Sequence, residues 1–219
     1  MRTEFSPADA RRFYDRMGAR QDAQGFYEDA ALDLLIANGR FGSARSVVEL
    51  GCGTGKLALR LLREVLPPNA EYTGIDLSPV MQRLAAGRLA AFGPRAHVLP
   101  TAGGVPLPLA SGSADRFVAT YVFDLLPPAA LRNAVGEAFR VLEPAGLLCS
   151  VSITHGRRFP SSLLMKLWES VWRANPRLVG GCRPIELSAA LEGERWEPLH
   201  RETAASWGIS SEIVIARRR

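Results

Sequence analysis

Val47-Val48-Glu49-Leu50-Gly51-Cys52-Gly53-Thr54-Gly55 is the stretch whose reading decides the fold of this chain. An apolar run ends on an acid and opens into a glycine loop. After a helix-length gap, Tyr72-Thr73-Gly74-Ile75-Asp76 is a second apolar run ending on another acid. Two strands with acidic tips and a glycine turn between them frame a nucleoside-binding crevice. The charges then choose among nucleosides. A carboxylate at Glu49 repels a pyrophosphate, and the dinucleotide fingerprint G-x-G-x-x-G, counted from Gly51, needs glycine where Lys56 stands. An NAD-dependent oxidoreductase is therefore disfavoured. A phosphate-free nucleoside carrying positive charge suits both acids.

Working outward, 219 residues make one good-sized α/β domain. The net charge of +5 comes almost wholly from arginine, and the arginines are scattered: Arg11 and Arg12, Arg157 and Arg158, Arg217 to Arg219. A nucleic-acid reader gathers its basic residues along one element with aromatics among them, so nucleic acid is disfavoured as a partner. Cys52, Cys149 and Cys182 are far apart, with no CxxC pair, and neither a metal site nor a disulfide framework is indicated. No apolar run approaches the roughly 20 residues of a membrane span. Met1-Arg2-Thr3-Glu4 leads into a polar helix rather than an apolar signal core, and a reducing, cytoplasmic location is expected.

Strands at 46–50, 71–76, 96–99, 116–122 and 147–153 alternate with helical patterns. Ser6-Pro7 and Ser78-Pro79 each read as an N-cap followed by proline at the first helical position. Leu57, Ala58, Leu61, Leu62 and Val65 form one helical face; Met81, Leu84, Ala85 and Leu89 form another. Such alternation predicts a parallel sheet with helices on both faces. A helix near 161–173, a short one near 184–192 and a hairpin turning at Trp207-Gly208 complete the chain.

The chain resembles the class I S-adenosylmethionine-dependent methyltransferases, over residues 45–153 and in the closing strands. Glu49-Leu50-Gly51-Cys52-Gly53-Thr54-Gly55 matches that family's E/D-x-G-x-G-x-G loop, and Gly74-Ile75-Asp76-Leu77-Ser78-Pro79-Val80-Met81 its second motif. The resemblance implies a Rossmann-like seven-stranded, mostly parallel sheet with helices on both faces and a C-terminal antiparallel hairpin. It implies S-adenosylmethionine as cofactor, bound by Glu49, Gly51, Cys52, Gly53 and Gly55 of the loop, by Asp76 on the ribose hydroxyls, and by Leu77 and Met81 on the adenine. Tyr121 lines the methionine end, and residues 1–44 form a helical lid over a methyltransferase domain at 45–219, the whole being one structural domain. Two departures stand out. Pro144-Ala145-Gly146 replaces Pro-Gly-Gly, and Pro100-Thr101-Ala102 replaces the Gly-Asp-Ala whose acid bonds adenine. Thr101 and Ala102 are expected to hold the adenine more weakly, since a charge-assisted bond is stronger.

Methyl transfer needs a base only where the acceptor must first lose a proton. Asp124, after the fourth strand, and His155, after the fifth, are the candidate catalytic residues; a helix cap and a solvated loop are the plainer readings of the two. Tyr14 and Arg183 are the candidate acceptor contacts. The helix with Trp168 and Trp172 is either core or the wall of a hydrophobic acceptor pocket. Amino methylation of bases goes with an Asn/Asp-Pro-Pro-aromatic quartet, and Phe123-Asp124-Leu125-Leu126 is not one. The expectation is a methyltransferase acting on a small-molecule, partly hydrophobic acceptor. Its rival is a non-catalytic cofactor-binding or RNA-binding protein on the same fold.

Overall fold

Serines start two of the helices. In the computed structural model, which describes residues 5–193 and 195–219, Ser6 Oγ accepts from the Asp9 N–H at 3.1 Å while Asp9 accepts from the Ser6 N–H at 3.2 Å. This reciprocal cap launches α1 (Pro7–Met17). The polar lead Met1 to Glu4 lies outside the described residues. Ser78 Oγ caps α4 (Pro79–Leu89) by accepting from the Met81 N–H at 3.2 Å. Between them come α2 (Gly25–Asn38) and α3 (Lys56–Arg60), which runs into a π-helical turn at Leu61–Val65. The later helices are α5 (Pro128–Val141), α6 (Ser161–Ala174) and α7 (Leu187–Ala190).

Seven strands form one sheet: β1 (Ser46–Leu50), β2 (Glu71–Asp76), β3 (Ala96–Pro100), β4 (Ala114–Thr120), β5 (Leu142–Ile153), β6 (Trp196–Ser206) and β7 (Ile209–Arg218). Their order is β3-β2-β1-β4-β5-β7-β6. The first five are parallel, and β7 runs antiparallel to both β5 and β6. This is the Rossmann-like architecture that the resemblance implies, built on the parallel sheet that the alternation of strands and helices predicts. The period of two splits neighbouring strand residues between two cores. Val47, Val118 and Leu147 pack with α2 and α3, whereas Val48, Phe117 and Leu148 pack with α5. Strand order reverses between β1 and β4, and a crevice opens beyond their C-terminal ends.

Two local expectations need correction. β5 begins at Leu142, not at 147, because Pro144-Ala145-Gly146 is an irregularity inside one strand, where pairing with β4 slips and Ala145 takes φ 66°. The α6 stripe is narrower than its periodicity suggests. Met165 is buried and Leu164 and Trp168 pack on the core, but Leu163 and Leu167 are 64% and 59% exposed, since α6 lies at the edge with neighbours on one side only.

Candidate functional site

The crevice is a cavity of about 610 Å³ whose floor is the glycine loop and whose walls include residues of α1, α2, the loop after β4, and α6. The volume is in the range of small-molecule sites. Gly51, Gly53 and Gly55 all take positive φ. At Gly51 a side chain has no room: its Cβ would stand 2.3 Å from Val122 Cγ2. The Gly51 and Cys52 N–H groups donate to the Ile75 carbonyl at 2.7 and 3.1 Å, tying the loop to the end of β2.

Both acids sit at their strand tips. Asp76, 8% exposed, accepts from the Gly53 N–H at 2.9 Å and the Ser78 N–H at 2.8 Å. Burial raises its pKa, and those backbone donors pull the other way. Glu49 is 1% exposed and accepts from the Tyr72 hydroxyl at 2.5 Å; burial pushes its carboxyl up to about 7. Cations placed to receive phosphate are missing from this floor among the described residues. Lys56 is paired with Asp29 at 2.7 Å.

The N-terminal segment roofs the cavity and is pinned to its far side. The Ser78 hydroxyl donates to Asp15 at 2.5 Å. Asp22, in the 3-10 turn Gly18–Gln24, receives the Thr54 hydroxyl at 2.5 Å and the Arg88 guanidinium at 2.6 Å. Arg88 and Thr54 hold the Asp22 pKa low despite burial. Gln21 lies over Gly53, and its amide oxygen is buried without a hydrogen-bond partner among the described residues.

Of the residues singled out from sequence, Glu49, Gly51, Cys52, Gly53, Asp76, Leu77, Thr101, Tyr121 and Tyr14 line this cavity. Six do not. Gly55 turns its open side to Ala85 of α4, where a Cβ would meet it at 3.2 Å, so its smallness serves helix packing. Met81 is fully buried in the core, and Ala102 faces solvent. Asp124 is not at the rim but wholly buried. The 3-10 turn Phe123–Leu125 points it inward, where it accepts from the Ile153 N–H at 3.2 Å, and burial pushes its carboxyl up to about 7. His155 is exposed on the loop after β5, outside the cavity wall. Arg183 staples the chain: its N–H donates to the Asp124 carbonyl at 3.1 Å and its guanidinium to the Leu126 carbonyl at 2.8 Å.

The family profile described as "Methyltransferase domain" matches residues 47–146, the span from β1 into β5 that builds this floor. The malonyl-[acyl-carrier protein] O-methyltransferase of Hahella chejuensis is 32% identical over 142 residues, covering 64% of this chain and 46% of that one. The fold of a geranyl diphosphate methyltransferase, solved with GPP and sinefungin, superposes with a TM-score of 0.67 at 15% identity, covering 88% and 78% of the two chains. Residues 47–146 form a methyltransferase domain of the S-adenosylmethionine-dependent class. An uncharacterized methyltransferase of Mycobacterium tuberculosis is also 32% identical, over 67% of this chain and 54% of its own. The chain spans about half the length of the curated relatives it matches.

A cavity residue that sequence reasoning missed stands on α2. Glu28 lines the cavity beside Tyr27, and burial pushes its carboxyl up to about 7. Next to Asp29 in a helix it reads as one more surface acid. Only the packing of α2 under the roof separates the two. Trp168 of α6, read from sequence as either core or pocket wall, lines the cavity and donates its indole N–H to the Cys182 carbonyl at 2.9 Å, so it is both.

Proposed function

We propose that this chain transfers the methyl group of S-adenosylmethionine to a small, partly hydrophobic acceptor held under its N-terminal helices. One observation carries the reading: a glycine cradle with no room for a side chain, flanked by two buried acids, opens into a cavity walled by aromatic and aliphatic residues. The donor set fits the cofactor. Asp76 holds the ribose hydroxyls, Leu77 packs on the adenine beside Thr101, and Glu49 and Tyr121 face the methionine end. The unpartnered Gln21 oxygen is a further acceptor for its polar groups. Gly55 and Met81 support this floor from behind.

Bound there, the cofactor supplies an activated methyl carbon, and the protein's share is to aim the acceptor and exclude water. Residues 1–44 act as the lid that does the excluding, anchored by Asp15 and Asp22. Tyr14 projects from that lid toward the acceptor. Calorimetric titration with S-adenosylmethionine, S-adenosylhomocysteine and NAD tests the reading. Binding of the first two, no binding of NAD, and transfer of labelled methyl to a small acceptor are expected. A protein that binds neither sulfur nucleoside lacks this function.

A further inference from the structure

We infer that the acceptor is an amine, gripped as a cation by a cage of aromatic rings that the Glu28 carboxylate closes. The inference rests on the methyltransferase reading and narrows it. Four separate parts of the fold bring aromatic rings to the cavity wall: Phe13 and Tyr14 from α1, Tyr27 from α2, Tyr121 just past β4, and Trp168 from α6. Tyr27 and Tyr121 meet edge to face with centroids 5.8 Å apart, and Phe13 and Tyr14 do the same at 5.3 Å. Glu28 follows Tyr27 on α2 and lines the same cavity as Tyr14 and Tyr121, whose phenols it keeps from ionising. Rings so gathered attract ammonium groups through their negative faces.

The charge balance points the same way. Lys56, Asp29, Asp124 and Tyr27 are the groups that act on Glu28. Lys56 is engaged with Asp29, and Asp124 is a second acid behind the wall. The wall acids Asp22 and Glu137 are already bound by Arg88 and Arg140. Glu28 has no ion-pair partner among the described residues. With Lys56, the cation that acts on Glu28, engaged by Asp29, an ammonium supplies the missing partner.

The chemistry is self-consistent. An ammonium has no free electron pair, so Glu28 first accepts one N–H proton. The nitrogen lone pair then bonds to the methyl carbon as the carbon–sulfur bond breaks, and that bond's electrons leave with the sulfur. The positive charge lost at sulfur reappears on the methylated nitrogen, still inside the cage. A carboxyl that titrates near 7 serves as proton acceptor at neutral pH.

Benzyltrimethylammonium and its uncharged carbon isostere, neopentylbenzene, are the probes, titrated with and without saturating S-adenosylhomocysteine. Phenylacetate is the anionic control. The cation should bind at least about tenfold more tightly than the isostere, and phenylacetate most weakly. Glu28→Gln should remove most of that preference while binding S-adenosylhomocysteine as the native protein does. Equal affinity for cation and isostere, tighter binding of phenylacetate, no binding of the cation, or a preference that survives Glu28→Gln would each overturn the cage. The comparison of ligands on the native protein decides even if the variant fails to fold. Failure to bind S-adenosylhomocysteine counts against the cofactor reading, and the titrations run without it still judge the cage.

Discussion

At the scale of single residues, the two strand-tip acids make different predictions. Asp76 is held by two backbone N–H groups in a geometry that leaves lone pairs for a ligand. Asp76→Ala should weaken S-adenosylhomocysteine binding by about 1.5–3 kcal/mol, the range for hydrogen bonds to a charged group. Calorimetry on the folded variant checks it, and unchanged affinity would mean that the ribose lies elsewhere. Glu49 instead governs pH dependence. Its carboxyl and those of Asp124 and Glu28 titrate near 7 in the folded protein, above their range in an unfolded chain. The stability each contributes is complete below about pH 4 and is lost as pH rises through 7. The ligand-free protein should therefore melt at a lower temperature at pH 8 than at pH 5. Glu49→Gln should flatten that slope by at most about 3 kcal/mol. Glu137, held low by Arg140, acts below this window and does not mask the effect.

Among the elements, the N-terminal segment and the closing hairpin carry the testable claims. The roof is pinned at Asp15 by the Ser78 hydroxyl and at Asp22 by Arg88, whose guanidinium reaches both Asp22 and Thr54 from α4. Arg88→Ala should leave the sheet intact but loosen the roof, with a loss of cofactor affinity of about 1 kcal/mol, as for a partly exposed ion pair. Limited proteolysis within residues 1–44 should speed up, and S-adenosylhomocysteine should slow it again; equal cleavage of both proteins would deny that this pair is a latch. The hairpin has a different anchor. Glu212 of β7, 1% exposed, accepts from the Leu187 N–H at 2.7 Å, the Ser188 hydroxyl at 3.0 Å and Arg201 at 2.7 Å. Glu212→Ala leaves the buried Leu187 N–H unpaired while the half-exposed Arg201 rehydrates, and should cost about 1–3 kcal/mol, read from the urea midpoint.

For the molecule as a whole, stability lies in the two cores on either face of the sheet, and the candidate site lies in the crevice between its halves. Phe117, fully buried on β4, belongs to the core under α5, away from the cavity. Phe117→Ala should cost about 3–5 kcal/mol in denaturant unfolding. Cofactor affinity of the remaining folded protein should be unchanged. The strand pattern, the serine caps of α1 and α4, the glycine loop and its two acids were legible in the sequence by itself, because each is a local rule. Strands alternate or run apolar, caps need a hydroxyl before proline, and a turn that crowds Val122 needs glycine. What only the tertiary structure decided is which polar side chains meet in space. Asp124 and His155 stand at similar places after neighbouring strands, yet one is folded wholly inside and the other is left in solvent. Glu28 and Asp29 are adjacent in sequence, yet one faces the cavity and the other pairs with Lys56. Side-chain direction at a loop or on a half-buried helix depends on what packs against it, and those partners come from strands and helices far away in the chain.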